Sequence, residues 1–136
     1  LTLIDDYGHH PVEILATIQA IKEKFPKKRL CMIFEPHRFS RTHQLFNDFV
    51  KVLKQVDCLL LLDIYPASEA PISGITSKRL VSEINSNKGH AIYINNTSAL
   101  KWIEKNYKSF DILITQGAGT ISKLNQSIRV KWSLQK

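Results

Sequence analysis

The sequence predicts an α/β fold, a mostly parallel sheet of five or six strands with helices on both faces, and three observations carry that expectation. Short apolar runs alternate with amphipathic stretches from end to end, the βαβ pattern that pairs strands in parallel. The run DCLLLLDIY at 57–65 is so continuously apolar that, as a strand, it needs both faces covered. No repeat, low-complexity tract or linker interrupts the alternation, so the 136 residues read as one domain, long enough to bury a core unaided.

Each element has its own signal. LTLID at 1–5 reads as a first strand, and Pro11 stands where a helix begins, because its fixed φ and missing N–H suit a first turn. Ile14, Leu15, Ile18, Ile21 and Phe25 then share one helical face. FPKK ends that helix, and RLCMIFE at 29–35 is a second strand. Leu45, Phe46, Phe49, Val52 and Leu53 recur at helical spacing, predicting one helix over Thr42 to Gln55. After the third strand comes the loop PASEAPISGITS at 66–77, whose Ser77 is expected to cap a helix over 78–87. HAIYI at 90–94 is a fourth strand, TSALKWIEKNY at 97–107 a helix, and FDILITQ at 110–116 a fifth strand. A helix from about Thr120 to Arg129 follows GAG.

Composition narrows the class. The chain is 43% hydrophobic and 23% charged, ordinary for a soluble globular protein. The longest apolar run, Cys58 to Leu62, falls far short of the roughly 20 residues a membrane helix needs. No basic region, apolar stretch and cleavage site follow Leu1, so no signal peptide is expected. Cys31 and Cys58 lie in apolar strands and read as inert core thiols, which points to a reducing, cytoplasmic setting. The net charge of +7 suits nucleic acid or an anionic small molecule. Its scatter, without interleaved aromatics, favours a solvated surface plus a few working arginines.

In open α/β sheets ligands collect beyond the carboxyl ends of the strands. That rule gathers Asp5 to His10, Glu35 to Arg41, Asp63 to Ser77 and Gln116 to Gly119 on one edge. In DDYGHHP, Asp6, Tyr7 and His9 read as ligand-binding, His10 as a cap for the helix at Pro11, and Asp5 as structural. In EPHRFSRT, Arg38 and Arg41 stand three apart at an expected helix start, which would put both guanidiniums on one face for a carboxylate or phosphate. His37 either orients Arg38 or lies exposed. The glycines of QGAGT let backbone approach a ligand and leave a helix amino end for an anion, a weak signal alone. No GxxxxGK[ST] loop, HExxH, nucleophile elbow or magnesium-binding carboxylate cluster occurs, so the chain does not read as a self-sufficient catalyst.

In this order and at these separations, DDYGHHP, FEPHRFSRT, LLLDIYPASEAPISGITS and ITQGAGTISKL resemble the carboxyl-terminal domain of the Mur ligase family, over nearly the whole chain. The resemblance implies a Rossmann-like three-layer domain that binds the amino acid, with a UDP-sugar domain and a central ATPase domain lying outside residues 1–136. This chain would then be an excised fragment, inactive alone. The implied activity is an ATP-dependent ligation in cytoplasmic peptidoglycan synthesis, serving cell-wall biogenesis, cell shape and division. ATP phosphorylates the lactyl carboxylate of UDP-N-acetylmuramate, and the amine of L-alanine attacks the acyl phosphate. By the resemblance, Asp6 matches the aspartate that binds the ATP ribose, while Tyr7, His9, Arg38 and Arg41 match the L-alanine pocket. No catalytic residue is assigned, His9 being the one candidate base. Magnesium accompanies ATP, with its ligands expected in the central domain. The implied partners are L-alanine, ATP, UDP-N-acetylmuramate and the two other domains, with no nucleic acid and no membrane. Two alternatives stand: a ligase recycling a tripeptide onto UDP-N-acetylmuramate, and a non-catalytic basic binding domain.

Overall fold

The structure, a computed structural model, describes residues 1–135. Five strands, β1 (Thr2–Asp6), β2 (Leu30–Phe34), β3 (Cys58–Leu61), β4 (Ala91–Tyr93) and β5 (Ile112–Gln116), form one sheet in the order β1-β5-β2-β3-β4. Every neighbouring pair is parallel. Six helices connect and flank them: α1 (Pro11–Lys24), α2 (Phe39–Gln44), α3 (Phe46–Leu53), α4 (Ser77–Ser86), α5 (Asn96–Asn106) and α6 (Ile121–Gln135).

Alternation along the strands divides the core in two. Leu30, Met32 and Phe34 of β2 face one side, where Ile14 and Ile18 of α1, Phe49 and Leu53 of α3 and Leu80 and Ile84 of α4 cover them. Cys31 and Ile33 face the other, under Ala99 and Ile103 of α5 and Ile121, Leu124 and Ile128 of α6. Both faces of the central strands are therefore dry, as the unbroken apolar run at 58–62 requires.

The third, fourth and fifth strands are shorter than the runs that announced them, β3 ending at Leu61 rather than reaching 65. Three further differences from the sequence expectation concern the helices. The helix expected over 42–55 begins earlier, at Phe39, and breaks at Leu45, whose φ of −112° and ψ of 21° turn the chain between α2 and α3. The break lets α2 stay at the carboxyl edge while α3 lays Phe49, Val52 and Leu53 on the sheet. Thr76, not Ser77, caps α4, its hydroxyl accepting from the Arg79 amide at 3.1 Å. Ser77 is drawn under the end of β3 instead, where its buried hydroxyl donates to the Leu62 carbonyl at 2.6 Å. Finally, α6 runs past Arg129 to Gln135.

Candidate functional site

Strands β1 and β2 send their chains toward the face covered by α1 and α3, whereas the neighbouring β5 sends its chain to α6 on the opposite face. That divergence opens a crevice beyond the carboxyl ends of β1, β5 and β2. Asp6 and Gln116 are register partners at its floor. One oxygen of Asp6, Oδ2, accepts from the Thr17 hydroxyl at 2.8 Å and from Gln116 Nε2 at 2.7 Å. Held from two sides through one oxygen, the carboxylate is fixed in its orientation. Asp5 points away and is structural. It accepts from the Thr115 hydroxyl at 2.7 Å, Thr115 accepts from Asn125 at 2.8 Å, and Asn125 accepts from Arg129 at 2.8 Å. That series ties β1 to α6.

Gln116 is fully buried, and its Nε2 also donates to the Gly8 carbonyl at 2.7 Å. A Cβ at Gly8 would come within 3.0 Å of Nε2 and 3.1 Å of Glu13 Cβ, so the turn needs glycine for close approach. Oε1 of Gln116 is buried without a partner among the described residues. Nothing in the sequence singled Gln116 out beyond its place at a strand end; its register opposite Asp6 is the signal that would have found it.

In the second half of DDYGHHP, His10 takes the capping role expected of it at the start of α1, Nδ1 accepting from the Val12 amide at 3.2 Å. Glu13 reaches back to accept from the amides of His10 at 3.0 Å and His9 at 3.3 Å, completing a capping box. Those amides, His10 first, hold the Glu13 carboxyl below its ordinary range. With the turn fixed in this way, Tyr7 is left 72% exposed and its ring meets His9 edge-on at 6.3 Å.

Residues 35–41 and the loop after β3 supply the other wall. The two chain exits are stitched together, Tyr65 donating its amide to the Pro36 carbonyl and Arg38 donating its own to the Tyr65 carbonyl, each at 2.8 Å. Arg38 sits at φ 77° and ψ 140°, a backbone conformation that an L side chain rarely adopts. Its carbonyl accepts from the Thr42 hydroxyl at 2.8 Å, which helps hold it there. Arg38 therefore precedes α2 rather than opening it. The expected placement of both guanidiniums on one helical face does not hold. Arg38 instead approaches Glu69 at 4.0 Å, and Glu69 accepts from the Ser40 amide at 3.0 Å and from the Ser40 hydroxyl. These two bonds lower the Glu69 pKa and keep it an anion in the loop.

Arg41 turns the other way, donating to His37 Nδ1 and to the His37 carbonyl, both at 3.4 Å. Of the two roles open to His37, it takes neither: it contacts Arg41, not Arg38, and is half-buried in a row of rings. His9 lies 5.3 Å away on one side and Tyr65 stacks at 5.5 Å on the other. Burial, then the charges of His9, Arg41 and Arg38, lower the His37 pKa against the opposing pull of Glu69. His37 is thus neutral near pH 7 and accepts from Arg41. Tyr7, His9, His37 and Arg41 form one continuous rim, with Arg38 anchored at its outer side by Glu69.

The QGAGT turn behaves differently from expectation. Buried Glu35 accepts from the Thr120 amide at 2.7 Å and from its hydroxyl at 2.8 Å. The anion at the amino end of α6 is therefore the chain's own carboxylate. Gly117, at φ 142°, and Gly119 are required because a Cβ would meet the Glu35 carbonyl at 2.8 Å and the Tyr65 ring at 2.9 Å. Glu35 builds the crevice wall. Among the described residues no group of three or more His, Cys, Asp or Glu could hold a metal ion, and no helix is long and apolar enough to cross a membrane.

Comparison with known proteins bears on this geometry. Residues 1–119 match the family model described as Mur ligase, glutamate ligase domain. The chain is 46% identical over 127 residues to a UDP-N-acetylmuramate–L-alanine ligase of Psychrobacter sp. (strain PRwf-1), covering 93% of this chain and 27% of that protein. It thus spans about a quarter of the length of that curated relative. Among solved structures, a domain of a UDP-N-acetylmuramate:L-alanyl-gamma-D-glutamyl-meso-diaminopimelate ligase from Haemophilus ducreyi 35000HP superposes with a TM-score of 0.67 at 23% identity, covering 95% of this chain and 89% of that one. A murein peptide ligase from Psychrobacter arcticus 273-4 superposes with a TM-score of 0.70 at 21% identity, over 94% of this chain and 26% of its own. At those identities the two structures establish the fold alone. With the family model spanning the strands, the crevice and the GAG turn alike, the chain belongs to the Mur ligase, glutamate ligase domain family.

Proposed function

We propose that this chain is the amino-acid-binding, carboxyl-terminal domain of a cytoplasmic ATP-dependent ligase that joins L-alanine to UDP-N-acetylmuramate in peptidoglycan synthesis. The observation that carries the reading is the rim of Tyr7, His9, His37 and Arg41 beside the oriented Asp6 carboxylate, on a chain 46% identical to a relative named for that reaction. UDP-sugar and central ATPase domains, outside residues 1–136, supply the remaining contacts.

In this reading the lactyl carboxylate of UDP-N-acetylmuramate attacks the γ-phosphorus of ATP, giving an acyl phosphate and ADP. The free amine of L-alanine then adds to the acyl carbon. The tetrahedral intermediate expels inorganic phosphate and leaves the amide, the ammonium proton passing to solvent or a base. Two residues of this chain act on the amino acid by charge. Arg41, steadied by neutral His37, binds the alanine carboxylate through charge-assisted hydrogen bonds. Arg38, tethered to Glu69, closes the outer side. Tyr7 and His9 bound the small side chain, and the amine is left facing the acyl phosphate. The gain is proximity and orientation, not acid–base chemistry. Asp6 fits ribose, because a carboxylate with one oxygen held from two sides presents the other to a hydroxyl. Magnesium would serve the phosphates from ligands in the central domain.

The test uses the complete enzyme. Arg41→Ala is expected to raise KM for L-alanine roughly 10- to 100-fold, the equivalent of about 1.5–3 kcal/mol for a hydrogen bond to a charged group. KM for ATP should stay within twofold. Asp6→Ala should do the reverse. An Arg41→Ala enzyme that folds normally and keeps its KM for alanine contradicts the pocket.

A further inference from the structure

At the amino edge of the sheet, opposite the crevice, topology brings together two cysteines that are far apart in sequence. Cys31 of β2 and Cys58 of β3 are register partners on neighbouring parallel strands, and both belong to the face beneath α5 and α6. Neighbouring strands run about 4.8 Å apart, inside the ~4.4–6.8 Å Cα window that a disulfide requires. Their exposures differ. Cys31 is fully buried, whereas Cys58 is half-buried and lines a cavity of about 400 Å³ with Arg29, Asp57, His90 and Trp102. Arg29 is fixed there, its amide donating to Asp111 at 2.8 Å and its Nε to the Ser109 carbonyl at 3.0 Å. A pair of inert core thiols would both be sealed. Here one opens onto a cavity that holds a cation, and the other stands behind it.

We propose that Cys58 and Cys31 form an oxidisable dithiol, in which Cys58 meets a peroxide in the amino-edge cavity and Cys31 resolves the product. The Cys58 thiolate attacks the peroxide O–O bond, giving a sulfenic acid and hydroxide, which takes up a proton to become water. The Cys31 sulfur then attacks the Cys58 sulfur and loses its proton, and the sulfenic hydroxyl departs with that proton as a second water. Two thiols are oxidised to one disulfide and one hydrogen peroxide is reduced to two waters. The division of labour agrees with the local chemistry. The neighbouring Cys58 thiol, then burial, pushes the Cys31 pKa well up. The Cys31 thiol and Arg29 draw Cys58 down, against burial and Asp57.

Hydrogen peroxide added to the native chain, followed by non-reducing peptide mapping, tests this. An intramolecular Cys31–Cys58 cross-link reversed by dithiothreitol is expected. Cys31→Ser should stop at a sulfenic acid on Cys58 that dimedone traps, and Cys58→Ser should leave Cys31 unoxidised until urea is added. Because a serine in the sheet can impair folding, iodoacetamide labelling of the unmutated chain is the second arm: Cys58 alone should react natively, and both thiols in urea. Two thiols that survive peroxide natively while oxidising in urea would overturn the proposal. So would an interchain Cys58 disulfide, a sulfinic acid on Cys58 without cross-link, or native labelling of both cysteines or neither.

Discussion

Gln116 is the residue through which the Asp6 side of the crevice holds its shape. Its amide bonds both Asp6 and the Gly8 carbonyl, so one side chain aims the carboxylate and fixes the turn that follows. Gln116→Leu removes both bonds, leaving the buried Gly8 carbonyl without this donor and Asp6 held by Thr17 alone, at about 1–3 kcal/mol for a buried group left unpaired. The variant is expected to lose about 2 kcal/mol in urea denaturation and, in the complete enzyme, to raise KM for ATP while KM for alanine holds. A variant with unchanged stability would show that Asp6 needs no such support. Arg38 makes a second point. Its backbone at φ 77° costs on the order of 1–3 kcal/mol for a non-glycine residue. Arg38→Gly should therefore be more stable than Arg38→Ala by about 1 kcal/mol, after glycine's extra unfolded-state freedom is subtracted. Equal stabilities would mean that the turn stores no strain. The sequence marked Asp6, Tyr7, His9, Arg38 and Arg41 because each follows a strand and carries a group that binds ligands. It could not show that Arg38 is left-handed, since PHRFSR contains no glycine or asparagine to announce it. Nor could it show that Glu35 occupies the helix end attributed to a ligand, because that contact joins residues 35 and 120.

At the scale of an element, α1 shows how a cap fixes the chain that precedes it. His10 and Glu13 satisfy amides at the helix start, and the same bonds pin the backbone that presents Tyr7 and His9. The pH dependence of this device has a definite sign. The Glu13 pKa is lower in the folded chain than its ordinary value of 4.5. Between those two values the unfolded chain binds more protons, so Glu13 adds stability that is full above the ordinary value and disappears as pH falls through the folded one. Glu13→Gln, which keeps an acceptor but cannot titrate, should flatten that part of the stability–pH curve measured by urea denaturation. An unchanged curve would remove Glu13 from the cap. Helix periodicity made α1 legible because its apolar face is regular over Ile14, Ile18 and Ile21. Periodicity also misled, merging α2 with α3. Leu45 and Phe46 keep the apolar spacing across a turn whose cause is tertiary, the need of α2 to stay at the crevice.

Across the whole molecule, a sheet with both faces covered places every candidate ligand group on one rim and the thiol pair on the other. The parallel architecture was readable because βαβ alternation and the apolar run at 58–62 leave few other solutions. The insertion of β5 between β1 and β2 was not, for nothing local records strand order. Yet that insertion creates the crevice and joins Gln116 to Asp6. The basic balance of +7 is spread over this surface rather than gathered at the rim, where Arg38 and Arg41 already have protein partners. Such a surface suits small anions better than a polymer of phosphates, whose binding would fall steeply with salt. The central claim is that the rim selects a single small amino acid. The most direct measurement is ATP-dependent phosphate release by the complete enzyme with UDP-N-acetylmuramate, comparing L-alanine with the L-alanyl-γ-D-glutamyl-meso-diaminopimelate tripeptide. Release with L-alanine and little with the tripeptide is the predicted result. Preference for the tripeptide would make this a recycling ligase and contradict the pocket described here.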